Sequence, residues 1–207
     1  MKHEWKKQER EIYGVNRKPC VIDIPAQKYI VISGNGNPNG KVFSDKVAVL
    51  FSVAYKIKMS YKSLAGKNCE ITDYSVYPLE GIWSKQSEKE DFDKEALQYR
   101  IMIRQPDFIT REMFDNALEV VKRKKDNPYL TDISFETICD GQCIQILHKG
   151  AYDDEPLTFE IMNDYCLEHG YKRMGKEHRE IYLNNANRTG KANLKTILRY
   201  KVTDIGK

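Results

Sequence analysis

Nowhere in the chain do apolar residues run for anything near the roughly 20 positions a membrane-spanning helix needs, and mean hydropathy is −0.64. A span is excluded. The opening residues, MKHEWKKQEREIYG, lack the apolar stretch of a secretory signal, so the cytosol is the expected location. Charge of one sign is scarce as well: 34 Lys and Arg stand against 30 Asp and Glu, a net of +4 over 207 residues. Nucleic-acid-binding domains usually show a clustered basic face and a pI above about 9; here the pI is 8.6, and direct nucleic-acid binding is not expected. The one dense cluster, Lys122-Arg123-Lys124-Lys125, ends a predicted helix, where cations complement the dipole. The cysteines (Cys20, Cys69, Cys139, Cys143, Cys166) are odd in number and have no framework spacing, which reads as reduced thiols. Cys139-x-x-x-Cys143 with His148 misses a structural zinc spacing and reads as buried thiols. Gly34-Asn-Gly36 lacks a third glycine for a phosphate cradle, and no G-x-S-x-G, H-E-x-x-H or reactive Cys-His signature is present. Neither a metal, a cofactor nor a covalent nucleophile is expected.

What is abundant is tyrosine, 13 residues within an aromatic fraction of 11%. Such rings suit a pocket for flat or apolar small molecules as well as an ordinary core. Residues 1–20 read as a charged, partly helical lead-in carrying Trp5 and Tyr13, which either packs or folds across a cleft as a lid. VIDIPAQKYIVIS (21–33) reads as two short strands about Pro25. A helix is predicted from a Ser44 cap to a Gly66 stop, with Val47, Leu50, Ala54, Ile57, Tyr61 and Leu64 on one face. Segments 71–83 and 96–106 are β-rich, and a second helix spans about Thr110–Lys125. Then comes a predicted hairpin, FETICDGQCIQILHKG (135–150), turning at Asp-Gly, a helix over 153–170, and strands HREIYL (178–183) and KTILRYKV (195–202).

The two halves resemble each other. Sliding Val21–Gly36 onto Phe135–Gly150, a shift of 114, matches Ile24 with Ile138, Ile30 with Ile144, Ile32 with Ile146 and Gly36 with Gly150. The fold class is therefore α+β, built from duplicated β-α-β-β units with a ligand cleft between the pseudo-repeats. Repeat one covers about 21–106 and repeat two about 133–203, within one domain. Glu80 of PLEGIW falls opposite Glu180 of HREIYL in this reading. Strand alternation sends Ile181 and Leu183 to the helix-covered core and puts His178, Glu180 and Tyr182 on the other face. That face is either open solvent or a partly dry groove, in which desolvation suits a carboxylate to cation recognition or acid-base work. Phe51, Tyr55 and Met59 form a second helical stripe that lines the groove or packs against the additional helix. Trp83 is a core anchor or a stacking plate, Tyr152 sits by a helix N-terminus, and Met102 and His148 complete the candidate ligand-binding set.

The motifs GNGNPNG with AYKIKM, PLEGIW, IRQPDFIT, HKGAYDDEPLTFE, HREIYL and KTILRY, spread over nearly the whole chain, resemble those of the GyrI-like small-molecule-binding domains, in particular a stand-alone bacterial subgroup. The resemblance implies a duplicated β-α-β-β fold with a cleft between halves. In drug-sensing regulators of this superfamily a buried Glu in the strand equivalent to HREIYL contacts cationic aromatic drugs, a role that falls on Glu180. The chain shows no helix-turn-helix followed by a long coiled coil, unlike a whole regulator. Some stand-alone members hydrolyse cyclopropane-containing DNA-alkylating natural products of the yatakemycin and duocarmycin type, using Glu and Tyr side chains. Glu180 matches by motif; Tyr152, Tyr55 and Glu80 match by position only. Three functions are thus open: a cyclopropanoid hydrolase with Glu180 and Tyr152 as catalytic groups, a binding protein for flat or cationic drugs, and a gyrase-inhibitor-like protein-binding module.

Overall fold

Period-two patterning with buried Ile and Val on both strand faces asks for a sheet covered on two sides. The computed structural model, which describes residues 1–65, 70–85, 94–124 and 126–205, has one. In chain order the elements are β1 (Lys2–His3), α1 (Trp5–Gln8), α2 (Arg10–Tyr13), β2 (Cys20–Ile24), β3 (Gln27–Asn35), α3 (Lys41–Leu64), β4 (Asp73–Tyr74), β5 (Leu79–Lys85), β6 (Leu97–Gln105) and α4 (Arg111–Lys122). There follow β7 (Ser134–Ile138), β8 (Gly141–Lys149), α5 (Glu155–His169), β9 (Tyr171–Arg173), β10 (His178–Tyr182) and β11 (Lys195–Asp204). The large antiparallel sheet runs β2-β8-β11-β10-β5-β6-β3-β7, with β9 on the far end of β11. β1 pairs with β4.

The duplication is residue-true in its first part: a shift of 114 carries β2 onto β7 and β3 onto β8 end for end. The halves are also interlocked. β2 pairs with β8 of the second half, and β7 pairs with β3 of the first. The expected 135–150 hairpin is therefore absent, because β7 and β8 have different partners. Asp140-Gly141 bends one long strand instead of reversing it, and Gly141 takes φ +65 at the bend.

α3 and α5 lie on one face of this sheet, and α4 packs on α3. Each half presents Ile, Leu and Val to its helix: Ile32, Ile101 and Ile103 under Leu50, Val53 and Ile57, and Ile144, Ile146 and Leu198 under Met162 and Cys166. α3 starts at Lys41, ahead of the expected Ser44. Its N-cap is Gly40, held by an Asn37 turn in which Asn37 Oδ1 accepts from the Asn39 N–H. Gly66 and Cys69 lie outside the described residues. α4 begins as expected, with Thr110 capping it by accepting from Met113 N–H, but ends at Lys122 rather than near Lys125, and Gly170 ends α5 at φ +73 as expected.

The lead-in is two short helices broken at Glu9, and it covers the opposite face of the sheet. Trp5 and Tyr13 are buried against Tyr77, Arg104 pairs with Glu9 and donates to Tyr13 Oη, and Arg199 donates to the Ile12 carbonyl. It is a back cover, not a lid over the α3–α5 side. Of the two cysteines expected to be buried, Cys143 is and Cys139, at the Asp140-Gly141 bend, is exposed; Cys166 is buried and Cys20, at the start of β2, is exposed.

Candidate functional site

Paired residues of an antiparallel ladder share a face. Glu180 pairs with Gly81 and Leu198, whereas Glu80 pairs with Ile181 and Met102. The two glutamates therefore point to opposite sides of the sheet. The row Ile32–Ile101–Gly81 is mirrored by Ile146–Leu198–Glu180, so the structural counterpart of Glu180 is Gly81, one residue from the expected position. A one-residue slip turns every side chain over. For the same reason Met102, Ile181 and Glu80 belong to the lead-in face, so the expected faces are exchanged: Glu180, not Ile181, is on the side covered by α3 and α5. There Arg179 Nη1 donates to Glu80 Oε2 at 2.9 Å and contacts Met102 Sδ at 3.0 Å, and its Nε donates to Asp140 Oδ2 at 2.8 Å. Burial drives Glu80 above the usual carboxylate range against the pull of Arg179. Asp140 is driven up by burial too, but the bidentate Arg179 holds it below that range. This is a buried ion-pair brace, and Glu80 and Met102 take no part in the α3–α5 cleft.

The α3–α5 side has its own chemistry. Glu180 is 9% exposed. Its Oε2 accepts from Tyr182 Oη at 2.7 Å and its Oε1 lies 2.9 Å from His178 Nε2. Trp83 Nε1 donates to Tyr182 Oη at 3.0 Å. That reach depends on Gly81, because a Cβ there would stand 2.5 Å from the indole nitrogen. Trp83 stacks on Phe43 and leans on Tyr99, forming an aromatic wall beside the carboxylate. Tyr152, 38% exposed, meets Tyr182 edge-on at 5.8 Å.

A second carboxylate joins Glu180 that the sequence did not single out. Glu155, the first residue of α5, is 6% exposed and lies close enough to Glu180 to feel its charge. Burial first, then the Glu180 charge, push its pKa up to about 10. Near neutrality Glu155 is therefore a protonated acid beside Glu180. The same surroundings keep the phenols protonated: burial and then the two carboxylates push Tyr152 up to about 12, and burial and Glu180 push Tyr182 well above 10. Helices commonly carry an acid in the first turn, so only burial distinguishes Glu155.

His148 explains how Glu155 is aimed. Its Nε2 donates to the Ala151 carbonyl at 3.0 Å, and its Nδ1 lies 2.8 Å from Thr158 Oγ1. The ring thereby ties the end of β8 to the first turn of α5. His148 holds the site from behind and is itself buried.

The remaining candidates lie elsewhere. Phe51 and Tyr55 of α3 line a groove of about 390 Å³ with Lys56, with Val120 and Val121 of α4 and with Lys124 just past its end, and the groove takes in none of the Glu180 group. Met59 stands more than half exposed on the same helix. Among the described residues no cluster of three or more His, Cys, Asp or Glu fits a metal, and no helix is long and apolar enough to cross a membrane.

A conserved protein of Listeria innocua superposes with a TM-score of 0.89 at 31% identity, over 97% of this chain and 100% of its own. A hydrolase of the same organism superposes at 0.88 and 29%, over 98% and 100%. The C-terminal domain of EcmrR shares the fold at 0.53 and 12%, over 90% and 98%. No curated protein matches the sequence. The model of the GyrI-like small molecule binding domain matches residues 17–201. On that match, and on the interlocked duplicated sheet behind it, the chain belongs to the GyrI-like small-molecule-binding domain family.

Proposed function

We propose that this small-molecule-binding domain hydrolyses cyclopropane-containing DNA-alkylating natural products by adding water to the strained ring. The observation that carries the reading is the buried Glu155–Glu180 pair, holding one proton beneath Trp83, Tyr182 and Tyr152. A site that only bound flat cations needs one carboxylate. A second, protonated one adds an acid beside the base, which is what addition of water requires. The solved structure of a Listeria innocua hydrolase with the same fold supports the same direction.

The ligand's flat body lies against the Trp83 wall. The water oxygen bonds to the ring methylene as the strained C–C bond breaks. Its electron pair passes to the conjugated oxygen, and the carboxylate pair takes one water proton. Tyr152, protonated and partly exposed at the rim, donates to the oxygen as charge develops. General-base help of this kind is worth about 10²–10⁴-fold and an oxyanion donor about 10²–10³-fold. The hydrolysed product then leaves to solvent past Tyr152.

The test is incubation with a several-fold excess of a duocarmycin-type compound and mass analysis. An 18-dalton gain beyond one equivalent, lost in Glu180→Gln and Glu155→Gln, is the expected result. Saturable quenching of protein fluorescence with no change in mass would make it a binding protein. Neither signal would refute the small-molecule site at Glu180.

A further inference from the structure

Glu180 is held at both oxygens. Tyr182 donates to Oε2 at 2.7 Å, and His178 Nε2 lies 2.9 Å from Oε1. The imidazole is itself fixed from several sides. Phe159 of α5 meets its ring edge-on at 4.8 Å, and Phe159 in turn stacks on Tyr200 of β11. The Arg173 guanidinium of β9 lies over the Phe159 and Tyr200 rings, 5.7 and 4.5 Å from their centres. Its Nη2 also donates to the Lys176 and Glu177 carbonyls at 2.9 and 3.1 Å, which ties down the chain just ahead of His178. Side-chain exposure is 22% for His178 and 12% for Glu180, so the contact is largely shielded from water. The arrangement belongs to one half only. Gly81 mirrors Glu180, and Leu79 stands two residues ahead of Gly81, as His178 stands two ahead of Glu180. Leu suffices to fill that position in the first half; the second half has there a ring nitrogen against the carboxylate.

We propose that His178 is a positioning residue for Glu180: with Tyr182 it clamps the carboxylate, one donor on each oxygen, in the plane and the charged form that the addition of water needs. The inference deepens the hydrolase reading and rests on it for the kinetic effect, though not for the clamp. An ionised carboxylate only accepts hydrogen bonds, so in this form Nε2 carries the hydrogen toward Oε1. Hydrogen bonds to the charged form favour it, which keeps Glu180 a base beside protonated Glu155. Each clamped oxygen has a second lone pair. One of these takes the water proton as the water oxygen bonds to the ring methylene, the strained C–C bond breaks, and its electron pair passes to the conjugated oxygen.

Two variants separate the donor from the ring. Phe fills the place of the imidazole and can keep the edge contact with Phe159, but it has no donor. Gln loses the ring but carries an N–H near the place of Nε2. Crystal structures test the clamp. In the wild type and in His178→Gln, Glu180 Oε1 should stay within hydrogen-bond distance of residue 178, and in His178→Phe the carboxylate should turn away. A Glu180 carboxylate that keeps its place in His178→Phe would overturn the inference whatever the protein catalyses. Turnover of a duocarmycin-type compound tests the consequence. His178→Phe should lower kcat by about 10-fold or more at unchanged KM, within the span of general-base effects, and His178→Gln should recover most of the loss. Equal losses in the two variants, or none in His178→Phe, would overturn the positioning role. No turnover in a wild type whose carboxylate is released in His178→Phe would overturn the hydrolase reading and leave the clamp standing.

Discussion

Replacing Glu155 by Gln should make the protein more stable while removing the acid it is proposed to supply. The unfolded chain ionises Glu155 near the ordinary value of 4.5, whereas the folded protein keeps it protonated up to about pH 10. A folded pKa raised above the unfolded one favours the native state fully below the unfolded value, and the advantage is lost as pH rises toward the folded value. Between 4.5 and neutrality the native state must take up a proton that the unfolded state does not hold. The cost grows by about 1.4 kcal/mol per pH unit. At pH 7 it amounts to about 3 kcal/mol, a large fraction of an ordinary domain's stability. Gln has the shape of the protonated acid and does not ionise, so the variant escapes the cost. Urea unfolding of both proteins at several pH values between 5 and 8 isolates this one group, because all other titrations are common to the pair. The gap in unfolding free energy should widen in favour of Glu155→Gln by about 1.4 kcal/mol per pH unit over most of this range. A gap that does not change with pH would show that Glu155 is not a protonated acid in the folded protein, and the acid-base reading of the site would fall with it.

Gly81→Ala puts a methyl where the Trp83 indole nitrogen passes, 2.5 Å away. The indole must turn, the bond to Tyr182 breaks, and ligand affinity should fall by about tenfold, as expected for a loss near 1.4 kcal/mol; titration by tryptophan fluorescence reads it. Arg179→Met removes the cation bonded to buried Glu80 and leaves Asp140 only Lys201, 3.7 Å away, a loss of about 3–5 kcal/mol visible in chemical denaturation. Combining it with Glu80→Gln and Asp140→Asn should recover much of that loss. Deleting residues 1–16 uncovers Arg104 and Arg199 on the back of the sheet. The melting temperature should fall while ligand affinity at the Glu180 side stays within about twofold, as for separated sites, and a larger change in affinity would contradict the back-cover arrangement.

Much of this architecture is legible in the residues. The 114-residue shift holds from β2 and β3 to β7 and β8 because buried Ile and Val must recur wherever both halves face the same kind of helix. Alternation likewise puts His178, Glu180 and Tyr182 together. What failed did so where local chemistry has two solutions. Asp140-Gly141 is a turn signal, yet which strand β7 and β8 choose as partner depends on an edge more than 100 residues away. The likeness of PLEGIW to HREIYL suggested that Glu80 matches Glu180, but the ladder registers align Gly81, and register is a property of the whole sheet. Glu155 was hidden for a different reason. An acid at a helix start ordinarily faces water, and only the His148 tie to Ala151 and Thr158 turns this one inward. The Phe51–Tyr55–Met59 stripe was ambiguous from periodicity, and the neighbouring α4 accounts for the first two rings.

The exchange of β2 and β7 between halves bears on how a guest gets in. Each half clasps the other at both sheet edges, and the β5–β10 ladder closes the middle. Swinging the halves apart like jaws would tear hydrogen-bonded strands at three places at once. Access must instead come from side chains stepping aside, with Tyr152 best placed to do so. Such a doorway selects guests by thickness: planar molecules can slide past a tilting phenol, while globular ones of equal mass are turned away.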